Sequence, residues 1–338
     1  MRIHIGRIAT ASFYLCTVLL FAASCSTPKK TNATAETKAV EIEFNADSAY
    51  AFCAAQCQFG PRVMNSEAHE QCGAWIGRQF EQYGYSVSKQ QATLTGYDGT
   101  PLRATNLIAR HADSIPQAGR RILVCAHWDS RPWADNDPDE ANWHQPVMAA
   151  NDGASGVAVM LELARLIQQH DSLNVAVDFL CFDAEDWGTP QWSDIQDDGN
   201  TWALGAQHWA THYDPQRDGR YDYAILLDMV GGQGAHFYRE GFSVQYAAAI
   251  VDRIWRAAQT AGYGSLFPNQ TGGYITDDHV PLNQTAQIPT VDIINHYPDC
   301  QQSSFGPTWH TVSDDMQHID RNTLRAVGQT LVQLLFTE

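Results

Sequence analysis

The chain has 338 residues, 44% hydrophobic and 11% aromatic, enough to bury one large core and too apolar for a disordered chain. Its 38 acidic residues outnumber 21 basic ones, the formal charge is −17, and no Lys/Arg cluster interrupts the excess. That balance excludes binding to nucleic acid through phosphates and favours neutral or cationic ligands.

The first 24 residues read as an export signal. Arg2 and Arg7 form a basic start, residues 8–23 are apolar, and Ala22-Ala-Ser-Cys25 places small residues immediately before a cysteine. Cys25 is the expected lipid-anchor residue, which puts the protein on the periplasmic face of a bacterial envelope membrane. An ordinary signal-peptidase site, or a short membrane anchor, is the competing reading. Residues 25–45, rich in Lys, Thr, Ala and Glu without periodicity, are expected to be a flexible tether. Residues 46–338 are then one domain.

From Asp47 the pattern predicts a helix broken at Gly60-Pro61, then a second from Ser66 to Tyr83 with Gly84 as its C-terminal stop. Two strands follow at 87–95 and 102–109, joined at Gly96-Tyr-Asp-Gly99. Residues 121–126 are continuously apolar, as in a parallel strand buried on both faces. Prolines 132, 138 and 146 make residues 129–148 a long loop, of a length that is usually functional. A helix is expected at 155–169, a buried strand from Val175, a loop at 188–201 and a strand at 223–227. A helix at 243–261, a strand at 290–294 and an amphipathic helix at 322–336 complete the series. Strands alternating with helices predict an α/β fold, a single domain with a central, mainly parallel mixed sheet flanked by helices.

In such sheets, sites form at the carboxyl ends of the strands. Those ends carry His127-Trp-Asp129, Asn151-Asp-Gly153, Glu185-Asp186, Asp228, Asp277-Asp-His279 and Trp309-His310. A strand running into Asp183, Glu185 and Asp186 is costly unless a cation or a proton meets the charge. No single motif carries the signal; the convergence of six segments does.

Six pieces in this order resemble the M28-type zinc exopeptidases, and within them the glutaminyl cyclases, from about Asp47 to the C-terminus. They are Ala126-His-Trp-Asp-Ser130, Ala150-Asn-Asp-Gly153 running into Met160-Leu-Glu-Leu-Ala164, Phe182-Asp-Ala-Glu-Asp186, Leu227-Asp-Met-Val230, Asp277-Asp-His-Val-Pro281 and Phe305-Gly-Pro-Thr-Trp-His-Thr311. The resemblance implies one zinc ion held by Asp152, Asp186 and His310, an O,O,N set suited to zinc with one position open. It implies Glu185 as general acid/base, with Asp228 and Asp277 in the proton-transfer network. Trp192, Phe305 and Trp309 match the aromatic pocket of the cyclases. His127 is an alternative metal ligand, because related aminopeptidases bind two metals with Asp152 bridging and with His127 and Asp228 added. Asp186 is shorter than the Glu of many relatives, which leaves room for a shifted or second metal.

The activity implied is cyclisation of N-terminal glutamine on peptides or exported proteins, with release of ammonia. A dinuclear aminopeptidase is the first rival, and a non-catalytic envelope binding protein on a degenerate fold the second. Six cysteines outside the export segment (Cys53, Cys57, Cys72, Cys125, Cys181 and Cys300) permit disulfides, and no pairing is assigned. Cys125 and Cys181 sit in strand-like runs where buried thiols fit equally well. Asp183 and His279 read as supporting groups, and Ser155 as opening a helix rather than as a nucleophile. Trp133 and Trp143 either line the pocket rim or pack the long loop.

Overall fold

A computed structural model describes residues 38–111, 119–170, 173–197 and 199–338. The export signal, Cys25 and the first part of the expected tether lie outside these residues. Among the described residues no helix is long and apolar enough to cross a membrane.

The elements are α1 (Ala46–Cys57), α2 (Glu67–Gln82), β1 (Tyr85–Thr95), β2 (Pro101–His111), β3 (Arg121–His127), α3 (Ala154–Gln169), β4 (Ala176–Phe182), α4 (Leu204–His212), β5 (Tyr223–Asp228), β6 (His236–Phe237), α5 (Gly241–Thr260), α6 (His279–Gln284), β7 (Thr290–His296) and α7 (Arg321–Leu335). One mixed sheet has the order β1-β2-β4-β3-β5-β7-β6. Its four central strands, β4, β3, β5 and β7, are parallel, and β1, β2 and β6 add antiparallel edges. Register pairs His127 with Phe182 and Asp228 with Ile294. The carboxyl ends of the central strands are therefore level, and the residues following them share one edge.

Alternate side chains of β3 separate the two faces. Ile122, Val124 and Ala126 pack with α1, α2, α3, α5 and α7, whereas Leu123 and Cys125 pack with α4 and α6. Burial on both sides explains the apolar runs at residues 122–126 of β3 and 179–182 of β4. Helix starts follow their caps: Asn45 accepts from the amides of Asp47 and Ser48, and Ser66 from that of His69. Gly156 sets α3 directly against the sheet, since a Cβ there would lie 2.3 Å from the carbonyl oxygen of Leu227. That close approach brings the preceding segment, with Asp152, to the sheet edge.

The expected tether does not extend to residue 45. The Val40 amide bonds Gln333, the Phe44 amide bonds Gln329, and the Phe44 ring is buried against Gly328 of α7. Val40, Ile42 and Phe44, together with these backbone hydrogen bonds, dock the segment. Two short helices were not expected. α4 has no side-chain cap, and α6 spans only six residues, so neither carries a local signal strong enough to read. Among the described residues the six cysteines are free, with Cys125 and Cys181 buried in β3 and β4.

Candidate active site

Three of the segments that reach this edge are gripped by buried groups. Asp314 accepts from the amides of Asn151 and Asp152 at 2.8 and 3.0 Å. Asp129 does the same for Glu185 and Asp186, both at 3.1 Å. Asn151 accepts from the Gly231 amide, and the Ser155 hydroxyl donates to Asn151 and accepts from Val230, tying the segment after β5 to the start of α3. Ala149, Ala184, Ala203, Met229 and His310 adopt φ between 49° and 55°, all beside or at site residues. Left-handed backbone at such residues costs roughly 1–3 kcal/mol each and persists only where its surroundings over-determine it.

His310 Nε2 lies 3.2 Å from Asp186 Oδ1 and 3.6 Å from Asp152 Oδ2. His127 Nε2 lies 3.0 Å from Asp152 Oδ1 and 3.3 Å from Asp228 Oδ1. Each set offers three donor atoms mutually within 4.8 Å, and the two share Asp152. The fit to a metal is direct: all are buried, and Asp186 Oδ2 has no hydrogen-bond partner. The O,O,N donors of Asp152, Asp186 and His310 suit zinc.

Behind this set is a brace that sequence reasoning missed. Asp135 Oδ1 lies 3.3 Å from His310 Nδ1, and Asp135 accepts two hydrogen bonds of 2.7 Å from Arg131. Arg131 also donates to the Asp186 carbonyl and carboxylate at 3.2 and 3.3 Å. A carboxylate on the far nitrogen of a ligating histidine fixes its ring orientation. Burial pushes the Asp135 carboxyl up, but hydrogen bonds from Arg131 and His310 outweigh this and hold it well below the usual range. The only sequence hint is that Arg131 and Asp135 follow the end of β3 directly.

Glu185 is buried, and that burial raises its carboxyl well above the ordinary value; His127 opposes the rise, while Asp186, Asp277 and Asp278 add to it. Asp228 is pushed up to about 8, chiefly by burial and also by Asp277 and Asp152, against the hydrogen bond from His127. Asp277 is raised by burial too. Asp228 can therefore hold a proton near neutral pH, and burial shifts Glu185 and Asp277 in the same direction. Asp183 instead bonds His69 at 2.8 Å and the Thr105 amide at 2.5 Å, away from the donor sets. His279 Nε2 bonds Glu240 at 3.0 Å, and Glu240 caps α5 through the amides of Phe242 and Ser243.

A cavity of about 390 Å³ opens over these groups, lined by Asp152, Glu185, Asp186, Asp228, Asp277 and His310 together with aromatic walls. Trp309 stacks on His310 at 3.8 Å, and Phe305 lies 4.9 Å from Trp309. The third wall is Trp202, parallel to the His310 ring at 6.0 Å with the Arg131 guanidinium 4.7 Å over its face. Trp192, expected there, is not among the lining residues. It packs with Trp133, Trp143 and His144 at ring separations of 6.0, 5.9 and 4.6 Å. The loop doubles back, so that its far end reaches the cavity. The Trp202 ring lies on bare Gly188 backbone, where a Cβ would be 2.0 Å from it. That glycine, directly after Trp187, is the one sequence signal for the aromatic contact.

The family model for peptidase family M28 matches residues 106–335. The chain belongs to peptidase family M28. Among solved M28-like structures, Tannerella forsythia glutaminyl cyclase is 46% identical with a TM-score of 0.84, covering 88% of this chain and 100% of that one. A Zn-dependent exopeptidase from Parabacteroides distasonis is 44% identical with a TM-score of 0.83, covering 88% and 100%. Aminopeptidase YwaD of Bacillus subtilis is 27% identical over 77% of this chain. The chain spans 50–62% of the length of the first curated relatives it matches. M28 membership and these neighbours imply zinc, for which the donor sets described are the candidate sites.

Proposed function

We propose that the chain is a zinc-dependent glutaminyl-peptide cyclotransferase, converting N-terminal glutamine to pyroglutamate with release of ammonia. The observation that carries this reading is the cavity itself, with three aromatic rings, Trp202, Phe305 and Trp309, enclosing the Asp152–Asp186–His310 set beside a buried Glu185. Solved glutaminyl cyclases at 41–46% identity support it.

Asp152, Asp186 and His310 would hold the zinc, which would supply a Lewis acid for the side-chain carbonyl of the substrate. Glu185 accepts a proton from the α-amino group as that nitrogen forms its bond to the side-chain carbonyl carbon. The carbon–nitrogen bond to the side-chain NH₂ then breaks, and Glu185 returns the proton to the departing nitrogen as ammonia. Asp228 and Asp277 orient the amine and the leaving group. The three rings hold the side chain folded back on its own amine, the main requirement of an intramolecular attack.

One zinc per chain is part of the proposal. The Asp186–His310 pair is braced by Arg131 and Asp135, whereas Asp228 faces a second carboxylate, Asp277. The dinuclear aminopeptidase reading is favoured by one observation, the second donor set of His127, Asp152 and Asp228. Ammonia release from a Gln-peptide, amine release from an aminoacyl-anilide and metal content, measured on one preparation, separate the two. Glu185→Gln should abolish ammonia release with zinc content unchanged; normal turnover in that variant, or two metals with anilide cleavage, overturns the proposal. We also place the protein at the periplasmic face of an envelope membrane through lipid on Cys25, with peptides or exported proteins as substrates. Loss of membrane association in Cys25→Ala is the expected result.

A further inference from the structure

Cyclisation of this kind consumes only the terminal residue, so on that reading the rest of the substrate must leave through the cavity mouth. The lining includes the strap Tyr274-Ile-Thr-Asp277 and, from a separate segment, Asp197, Gly199 and Trp202. Tyr274 is 66% exposed, although its ring is not loosely placed. It lies on the bare backbone of Gly241, where a Cβ would be 2.7 Å from the ring, and it meets Phe242 edge-on at 4.9 Å.

The strap beneath it is fixed. The Gly241 amide donates to the Gly273 carbonyl at 2.8 Å, and the Ile275 amide to Glu240 at 3.1 Å. Glu240 is itself buried and bonded to His279. Phe242 continues to Tyr246 at a ring separation of 6.4 Å, and Tyr246 is 38% exposed. A braced strap therefore carries an aromatic ledge outward from the mouth. Ile195, the other large apolar side chain left exposed among the described residues, is two positions before the lining residue Asp197. Large apolar side chains held in water beside a ligand cavity mark a contact surface.

We infer that Tyr274, backed by Phe242 and Tyr246, forms a subsite for the residue after the N-terminal glutamine and selects aromatic or bulky aliphatic side chains. Asp197, another lining residue, whose carboxylate accepts from the Gly199 amide, the Thr201 hydroxyl and the Trp202 indole, and the chain's excess of acid disfavour an acidic residue there. Tyr274 would be a specificity-determining residue, acting through substrate binding and not through the chemical step.

The test is ammonia release by the zinc-loaded full chain from Gln-Phe-amide, Gln-Gly-amide and Gln-Glu-amide. For the wild type, kcat/KM should favour Phe over Gly by about tenfold, the worth of one aromatic contact, mainly through KM. The Glu peptide should be the poorest. Tyr274→Ala should bring the Phe/Gly ratio toward one, and Tyr274→Phe should restore it. Equal kcat/KM for the Phe and Gly peptides, or a ratio that survives Tyr274→Ala, overturns the subsite while leaving the cyclase reading intact. No ammonia from any of the three overturns the cyclase reading, and the subsite with it.

Discussion

Replacing Asp135 by Asn removes one charge from a place where three meet. In the intact protein Arg131 donates two hydrogen bonds of 2.7 Å to Asp135, which also lies 3.3 Å from His310 Nδ1. All three side chains are buried, so little water can replace the lost carboxylate. Breaking a buried pair by removing one partner costs about 3–5 kcal/mol, and the lower end applies because Arg131 keeps its contact with Asp186. At roughly 2–4 °C per kcal/mol, about 3 kcal/mol lowers Tm by roughly 6–12 °C. The second effect is on zinc. His310 loses the group that orients its ring, and loss of such a partner typically weakens metal affinity by about 10–100-fold. Both are read on one protein, Tm by scanning calorimetry and zinc affinity by chelator competition. Glu162→Gln is the control, because Glu162 is likewise buried and paired with an arginine, Arg165, yet contacts no site residue. It should lower Tm and leave zinc affinity alone. Zinc binding within twofold of the wild type in Asp135→Asn, or an equal loss in Glu162→Gln, would refute the brace.

Metal-free protein should be more stable at pH 5 than at pH 8. Burial raises Glu185, Asp278 and Asp292, and lifts Asp228 to about 8 and Asp314 to about 7, so the folded chain binds more protons than the unfolded one across that range. Stability then falls as pH rises. His127 and His310, also raised, contribute stability below their unfolded values and lose it as pH rises, in the same direction. A Tm that climbs with pH in chelated protein contradicts this. For the aromatic walls, Trp202→Ala should cut kcat/KM on a Gln-peptide about tenfold, an aromatic contact's worth, and Trp192→Ala by less than about threefold. The reverse order would restore Trp192 to the pocket.

Much of the sheet was legible because β3, β4, β5 and β7 are buried on both faces and so are mostly apolar, with Asp178 and Asp292 the charged interruptions inside β4 and β7. The donor residues were legible because level strand ends must deliver them to one edge. What escaped was decided by contacts distant in sequence. Trp192 and Trp202 sit in one long loop, and only the fold-back of Trp202 onto Gly188 shows which of them reaches His310. Arg131 and Asp135 look like ordinary loop charges until His310, about 175 residues on, closes the pair. Residues 38–45 read as linker because the run is short and half polar, and only the fold shows Val40, Ile42 and Phe44, at alternate positions, docking on the core.

The stacking around His310 gives the protein a property separate from catalysis. The imidazole lies parallel to two indoles, Trp309 at 3.8 Å and Trp202 at 6.0 Å, and a guanidinium rests on the second. Any cation that takes His310 Nε2 changes the electric field at both indoles at once. Trp133 belongs to a separate ring cluster and meets this one only through the same guanidinium, 5.3 Å from its centre, so the signal is expected chiefly from Trp202 and Trp309. Intrinsic emission should therefore follow metal loading directly, with no added dye.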